Sequence, residues 1–407
     1  MPFKKHSLKG FGSTAIHSGH QQDGNNAHLT PIYATSTYIF DSAEQGMRRF
    51  SEEEKGYIYS RWGNPTMAEA EEKISALEGF GIMKSGEPLQ LKSILHASGM
   101  AAISALLLAT LKAGDKILSH FSLYGGTQEL MEKVLPPLGI EAIIADLRDL
   151  NQAEDALKKD PEIKMLYLET PANPTIQCVD IDELTVLAKR NNLLIAVDNS
   201  FATPYLQQPF KYDVDFVLHS TTKFLNGHGT AIGGVIVGKD VQFMHGRMEK
   251  VHRLLGGNSN PFDAFLLTQG MKTLEVRMER HCANAMKVAT FLERNKSVTK
   301  VNYLGLASHP DYATAKKQMS HPGAMLSFEL KNGLDAGKKF INKLQMCVRA
   351  VSLGTCDTLL SHPASMTHFG VPKEKRLQYG ITDGLIRMSV GIENIDDILN
   401  DLEQALN

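Results

Sequence analysis

Lys223 closes a short apolar run, Phe216-Val-Leu-His-Ser-Thr-Thr-Lys223, and Asp198 closes another, Leu193-Leu-Ile-Ala-Val-Asp198, 25 residues before it. An amine and a carboxylate at the ends of two strands in one α/β sheet are the pair that pyridoxal phosphate chemistry uses. The amine would hold the cofactor aldehyde as a Schiff base. The carboxylate would keep the pyridine nitrogen protonated, so that the ring accepts electrons from a carbanion. Ser220 and Thr222 add two hydroxyls that could hydrogen-bond a phosphate.

Other residues fit the same chemistry, and each has a plainer reading. Ala97-Ser98-Gly99-Met100 falls between a strand and a helix. Glycine permits close backbone approach, and a helix N-terminus offers free N–H groups to an anion. An ordinary turn with a serine cap explains it equally well in isolation. Tyr124, beside Gly125 and Gly126, could stack on a planar cofactor and present a phenol for proton transfer, or could be a structural tyrosine at a helix start. Asn173, in Glu169-Thr-Pro-Ala-Asn-Pro, could bond the ring hydroxyl, although two prolines also make a rigid loop there without a ligand. Tyr59 and Arg61 lie in a polar segment, where an arginine suits phosphate or is merely solvated. Arg387 interrupts the apolar strand Leu385-Ile-Arg-Met-Ser-Val, where an unpaired guanidinium is costly. A substrate carboxylate or a structural ion pair would satisfy it.

Several chemistries drop out. Gly227-His-Gly-Thr-Ala-Ile-Gly-Gly follows the lysine without G-x-G-x-x-G spacing, so a dinucleotide site is rejected. The sequence has no Walker A run and no His-Glu-x-x-His, and His17 and His20 lack the cysteine or carboxylate company of a metal site. The net charge of −2 recommends neither nucleic acid nor an anionic membrane. Four cysteines without a Cys-x-x-Cys pair read as reduced thiols of a cytoplasmic protein. The start of the sequence lacks the apolar stretch of a secretory signal, and the longest apolar run, at 100–111, reads as a buried helix.

The elements that must position these residues follow from periodicity. From residue 65 onward, helical patterns alternate with apolar strands at 93–96, 115–119, 142–145, 165–169, 193–197, 216–219 and 233–237. Such alternation predicts a mostly parallel sheet covered on both faces, with ligands bound at the carboxyl ends of its strands. Ser98, Glu169, Asp198 and Lys223 all fall at or just past such ends. The polar segment 1–64 cannot build a core and reads as an arm lying on a neighbouring subunit or on the main domain. Residues 65–265 form the α/β domain. Residues 266–407 form a smaller α+β domain, after one long helical pattern at 261–295, with strands expected at 324–330, 350–353 and 385–390. A surface loop is expected at 82–90.

Many separate motifs then resemble one family. They are Tyr57-Ile-Tyr-Ser-Arg-Trp-Gly-Asn-Pro-Thr66, Ser98-Gly-Met, Tyr124-Gly-Gly-Thr, Glu169-Thr-Pro-Ala-Asn-Pro-Thr175, Val197-Asp-Asn199, His219-Ser-Thr-Thr-Lys-Phe-Leu-Asn-Gly-His228 and Ser361-His-Pro-Ala-Ser-Met-Thr-His368. In this order they resemble the pyridoxal 5'-phosphate (PLP)-dependent trans-sulfuration enzymes of cysteine and methionine metabolism. The resemblance implies PLP fold type I, aspartate aminotransferase-like. Its mostly parallel seven-stranded sheet is sandwiched by helices, with a smaller C-terminal α+β domain and an extended N-terminal arm. It implies that Lys223 is the Schiff-base lysine, Asp198 the pyridinium partner and Tyr124 the stacking acid/base. It assigns Ser98, Gly99, Met100, Ser220 and Thr222 to the phosphate, with Tyr59 and Arg61 reaching the phosphate of a neighbouring subunit. Ser352 and Arg387 match the substrate-carboxylate site. A homotetramer of two dimers with shared sites is also implied.

Within the family, Asp41-Ser-Ala-Glu-Gln-Gly46, Gln207-Gln-Pro209, Arg277-Met-Glu-Arg-His-Cys282 and Ala350-Val-Ser-Leu-Gly354 resemble the methionine γ-lyase branch. Val351 suits a methyl thioether, where relatives acting on cystathionine usually carry glutamate. Gly126 and His252-Arg253 depart from that branch, which usually has a cysteine and a Lys-Asp pair. The activity implied is γ-elimination on a sulfur amino acid. The alternatives are cystathionine γ-lyase, cystathionine γ-synthase and O-acylhomoserine sulfhydrylase.

Overall fold

A computed structural model describes residues 8–407. Residues 1–7, part of the stretch read above as lacking a secretory signal, lie outside the described residues. In chain order the first elements are helices α1 (Phe11–His17), α2 (Ala43–Phe50) and α3 (Pro65–Glu78), strands β1 (Met83–Lys84), β2 (Glu87–Pro88) and β3 (Lys92–His96), and helix α4 (Gly99–Thr110). Strand β4 (Lys116–His120) and helix α5 (Gly125–Glu129) come next, then β5 (Glu141–Ala145), β6 (Ile163–Glu169), β7 (Leu194–Asp198), β8 (Phe216–His219) and β9 (Gly234–Gly238). The remaining strands are β10 (Val298–Asn302), β11 (Met325–Leu330), β12 (Val348–Arg349), β13 (Leu359–Ser361) and β14 (Leu385–Ser389).

Seven strands form one sheet in the order β3-β9-β8-β7-β6-β4-β5. The pairs β4–β5, β4–β6 and β6–β7 are parallel, and the edge pair β3–β9 is antiparallel. Strand β6 reads Ile-Lys-Met-Leu-Tyr-Leu-Glu and is buried at every position but Lys164, as a strand covered on both faces must be. Helix α4, Gly-Met-Ala-Ala-Ile-Ser-Ala-Leu-Leu-Leu-Ala-Thr, is apolar all round, the composition of a helix buried within the protein. No helix among the described residues is long and apolar enough to cross a membrane.

Contacts divide the chain into two compact units, and the division passes through β8. The first contains the described residues up to Thr110, Leu218–Thr222 and Thr230–Thr273. The second contains Leu111–Val217, Lys223–Gly229 and Leu274–Asn407. In the second, a five-stranded sheet of order β10-β11-β14-β13-β12 packs Phe328, Leu326, Ile386 and Met388 against Phe340, Val288, Leu292, Ile398 and Leu402.

Four expectations need correction. The helical pattern at 261–295 is two helices, Pro261–Met271 and Leu274–Arg294. At the break, Thr273 turns its backbone N–H and its Oγ1 to the carbonyl of Gly270, which ends the first helix locally. No strand forms at 350–353, because the carbonyls of Val351 and Ser352 accept from the Arg387 guanidinium instead of from a ladder. Sequence periodicity also passes over β10, a polar edge strand, and β13, only three residues long. The loop at 82–90 contains a small antiparallel hairpin, β1–β2, turned by Ser85 and Gly86 at φ 52° and 86°. Two left-handed residues are what a two-residue hairpin turn requires.

The N-terminal segment is tied down by one buried amine. Lys73 of α3 donates to the carbonyls of Ala15 (2.8 Å), Ile16 (3.2 Å) and Ser18 (2.6 Å) at the C-terminal end of α1. Those carbonyls are helix-end orphans, and the lysine satisfies three of them. Lys73→Met keeps the bulk but removes the donor, with an expected cost of about 3 kcal/mol. Urea unfolding and limited proteolysis near Gly19 measure it.

Candidate active site

In the second unit, Lys223 begins a tight turn that its own neighbours hold shut. The N–H of Gly227 donates to the Lys223 carbonyl (2.8 Å), and buried Arg277 donates from Nη1 to the Phe224 carbonyl (2.8 Å). Gly354 lies against this turn at φ 79°, where an added Cβ would sit 2.6 Å from the Phe224 nitrogen. Only glycine lets the 351–354 loop come so close, and its N–H is anchored on Ser389 Oγ (2.9 Å). The result is a hydrogen bond from Lys223 Nζ to Ser352 Oγ at 3.2 Å.

Burial, with the Arg387 charge as a second cause, pushes the Lys223 amine down to about 8. The neutral, nucleophilic fraction therefore rises through pH 8 and not near the ordinary lysine value. In the apoprotein, acylation of Lys223 by an amine reagent is expected to titrate with a midpoint near 8, read peptide by peptide by mass spectrometry.

Arg387 sits in the middle of β14 and is only 6% exposed. Its Nη2 donates to the carbonyls of Val351 (2.8 Å) and Ser352 (2.9 Å), and its Nη1 to Asn173 Oδ1 (3.1 Å). No carboxylate is among these partners, and Nε is buried with no partner among the described residues. A guanidinium in that state holds capacity for an anion. The contact also draws Asn173 to the arginine. Beside them Val351 is 57% exposed.

At the ends of the parallel strands, Glu169 of β6 is the register partner of Asp198 of β7. Asp198 Oδ1 accepts from the Ser200 N–H (2.9 Å). Glu169 Oε2 accepts from the Tyr124 N–H (2.6 Å) at the head of α5, while the Tyr124 ring is half exposed. Gly126 lies in the first turn of that helix. In the sequence Glu169 shows only as a strand end. Its only signal was an acid ending an apolar run directly before Thr-Pro.

The first unit contains the residues assigned to phosphate. Ser98 Oγ caps α4 by accepting from the Ala101 N–H (3.1 Å). A Cβ on residue 99 would lie 3.0 Å from Ser220 Cβ, and one on residue 234 would lie 2.2 Å from the Ser98 carbonyl oxygen. Glycine at both places lets the Ser98-Gly99-Met100 backbone lie directly against Ser220 and β9. Thr222 Oγ1 accepts from the Gly233 N–H (3.0 Å), which orients the residue preceding Lys223. Arg61 Nη1 donates to the Arg253 carbonyl, and its guanidinium lies over the Tyr59 ring (5.7 Å). His252 is buried and edge-on to His96 (4.6 Å).

Pyridoxal phosphate fits these residues. The second unit supplies an amine whose pKa is brought down to about 8 and a carboxylate at a strand end; the first, taken by itself, supplies a helix start that glycines leave open for an anion. Sheet and lysine together place the protein among PLP-dependent enzymes of fold type I. More narrowly, residues 12–407 match the Cys/Met metabolism PLP-dependent enzymes, and the chain belongs to that family. It is 49% identical over 398 residues to an L-methionine gamma-lyase of Fusobacterium nucleatum subsp. nucleatum, covering 98% of each chain. It is 46% identical over 407 residues to an L-methionine gamma-lyase of Porphyromonas gingivalis, covering 99% of each. Among solved structures, a cystathionine gamma-lyase of Lactobacillus plantarum superposes with TM-score 0.88 at 39% identity, over 97% of this chain and 98% of that one.

Proposed function

We propose that the protein catalyses γ-elimination on a sulfur amino acid, with L-methionine and water giving methanethiol, 2-oxobutanoate and ammonia. The observation that carries this reading is the 351–354 loop. It lends two carbonyls to Arg387, a hydroxyl to Lys223 and an exposed isopropyl group, Val351, beside both. An apolar wall next to a carboxylate anchor suits a methyl thioether better than a second amino-acid head group. The methionine lyases at 46% and 49% identity support the same reading.

In this reading Lys223 and Asp198 hold PLP by its aldehyde and ring nitrogen. Gly99, Met100, Ser98, Ser220 and Thr222 take its phosphate. PLP supplies an electrophilic carbon and a ring that accepts electrons. Arg387 binds the substrate carboxylate through the donor capacity its carbonyl partners leave open, with Ser352 beside it. Lys223, in its neutral form, removes the proton from the substrate α-carbon. Tyr124, fixed at the head of α5, donates a proton to the departing sulfur. We further infer a cytoplasmic homotetramer whose 1–64 arm brings Tyr59 and Arg61 to a neighbouring site, with 65–265 and 266–407 as the two domains. The apolar side chains of Ile39, Met47 and Phe50, exposed in the single chain, support a covered arm, and the free thiols support a reducing compartment.

The test is a substrate panel with purified holoenzyme: methionine, cystathionine, and O-acetylhomoserine with sulfide. Keto acid and methanethiol from methionine are expected. Failure on methionine with brisk turnover of cystathionine would replace this reading with a cystathionine lyase.

A further inference from the structure

We propose that Glu169 is a positioning residue of this site: as a neutral carboxylic acid it holds the backbone of Tyr124 at the head of α5 and leaves Asp198 the single negative charge where β6 and β7 end. The inference rests on the roles given above to Tyr124 and Asp198.

Geometry comes first. In a parallel pair, register partners project to the same face, and neighbouring strands lie about 4.8 Å apart. Glu169 and Asp198 are such partners. Carboxylates carried by register partners on one face resist ionising together. Glu169 is also the more buried of the two, at 6% exposure. Its Oε2 accepts the Tyr124 N–H at 2.6 Å, and its buried Oε1 has no well-formed hydrogen bond among the described residues, with the Thr127 hydroxyl the one further donor facing the carboxyl. An ionised carboxylate offers about four acceptor sites and demands donors for them. One N–H and one hydroxyl are too few, so the neutral acid is the form this environment accommodates.

The groups that face it agree. Asp198 and the Tyr167 phenol lie on the sheet side, and the Tyr124 N–H and Thr127 hydroxyl on the helix side. None of them carries positive charge. Burial first, and the Asp198 charge second, push the Glu169 carboxyl up to about 8. Glu169 thus keeps its proton at neutral pH. Ionisation of Glu169 at higher pH sets a second negative charge beside Asp198 and disturbs the carboxylate that grips the cofactor ring. Activity is therefore expected to fall above about pH 8, as Glu169 ionises.

Two variants separate the tasks. Glu169→Gln keeps an acceptor for the Tyr124 N–H and can never ionise. It is expected to retain kcat within about 3-fold near neutral pH and to lose the alkaline fall in kcat. Glu169→Ala removes the acceptor and is expected to lower kcat by about 10-fold or more, with KM changed by less than about 3-fold, because Tyr124 and not the substrate loses its anchor. Infrared difference spectra of the apoprotein, wild type against Glu169→Gln, should show a protonated-carboxyl C=O band that titrates away with a midpoint near pH 8. Absence of that band, or a Gln variant as damaged as the Ala variant, overturns the proposal. The infrared arm involves neither cofactor nor substrate. A protein that proves to act on a different sulfur amino acid would leave it intact.

Discussion

Replacing Lys223 by alanine is expected to lower kcat/KM by more than about 10³-fold while leaving the fold intact or firmer, because the amine is both nucleophile and base. The stability half of this expectation comes from the environment of the amine. It donates a hydrogen bond to Ser352 Oγ at 3.2 Å, and burial together with Arg387 brings its pKa down to about 8. A lysine whose folded pKa lies below its unfolded value binds fewer protons when folded. At neutral pH it therefore subtracts stability, and the deficit shrinks as pH rises from about 8 toward the ordinary lysine range. Removing the amine should add on the order of 2 kcal/mol to the apoprotein near neutral pH, and nothing above the ordinary lysine pKa. Lys223→Arg offers the contrast: it keeps a charge that cannot be shed and should be as inactive as alanine without the gain in stability. Turnover with methionine and urea unfolding of the apoproteins at two pH values measure both halves. A variant that loses activity and stability together would mark Lys223 as a structural residue.

The same balance explains what sequence could and could not show. The alternation of apolar strands and helices makes the seven-stranded sheet legible, since buried strands such as Met165-Leu-Tyr-Leu168 carry an unbroken apolar signal. Lys223, Asp198 and Ser98 stood out because strand ends are where such sheets bind ligands. What stayed hidden depends on contacts between distant segments. Nothing local tells that Gly354 must be glycine. The reason is the Lys223–Phe224 backbone, more than a hundred positions away. The segment 350–353 reads as a strand because its residues are apolar. Its carbonyls instead serve an arginine on β14. Glu169 was passed over for the same reason: its importance lies in being opposite Asp198 and beneath Tyr124, and neither relation has a sequence spacing.

Arg387 gives the second large expected effect, and it reaches two readouts at once. Arg387→Met withdraws donors from the carbonyls of Val351 and Ser352 and from Asn173 Oδ1, and it removes the cation available to a substrate carboxylate. Loss of one partner of a buried, hydrogen-bonded charge pair costs about 2–5 kcal/mol, so kcat/KM should fall by roughly 10²- to 10³-fold, carried mainly by KM. Arg387→Lys keeps the charge but not the fork. A single ammonium cannot serve two carbonyls and an amide while binding a carboxylate in two-point fashion, so it should recover only part of the loss. The second readout is electrostatic. Arg387 stands next to burial among the causes that lower the Lys223 pKa. With Met at 387, the midpoint for acylation of Lys223 in the apoprotein should move above 8, toward the ordinary lysine value. With Lys at 387 it should stay nearer 8. A rise in KM without that movement would show that the arginine binds substrate but does not tune the lysine. The two effects together would show one guanidinium setting both where the substrate sits and when the base is ready.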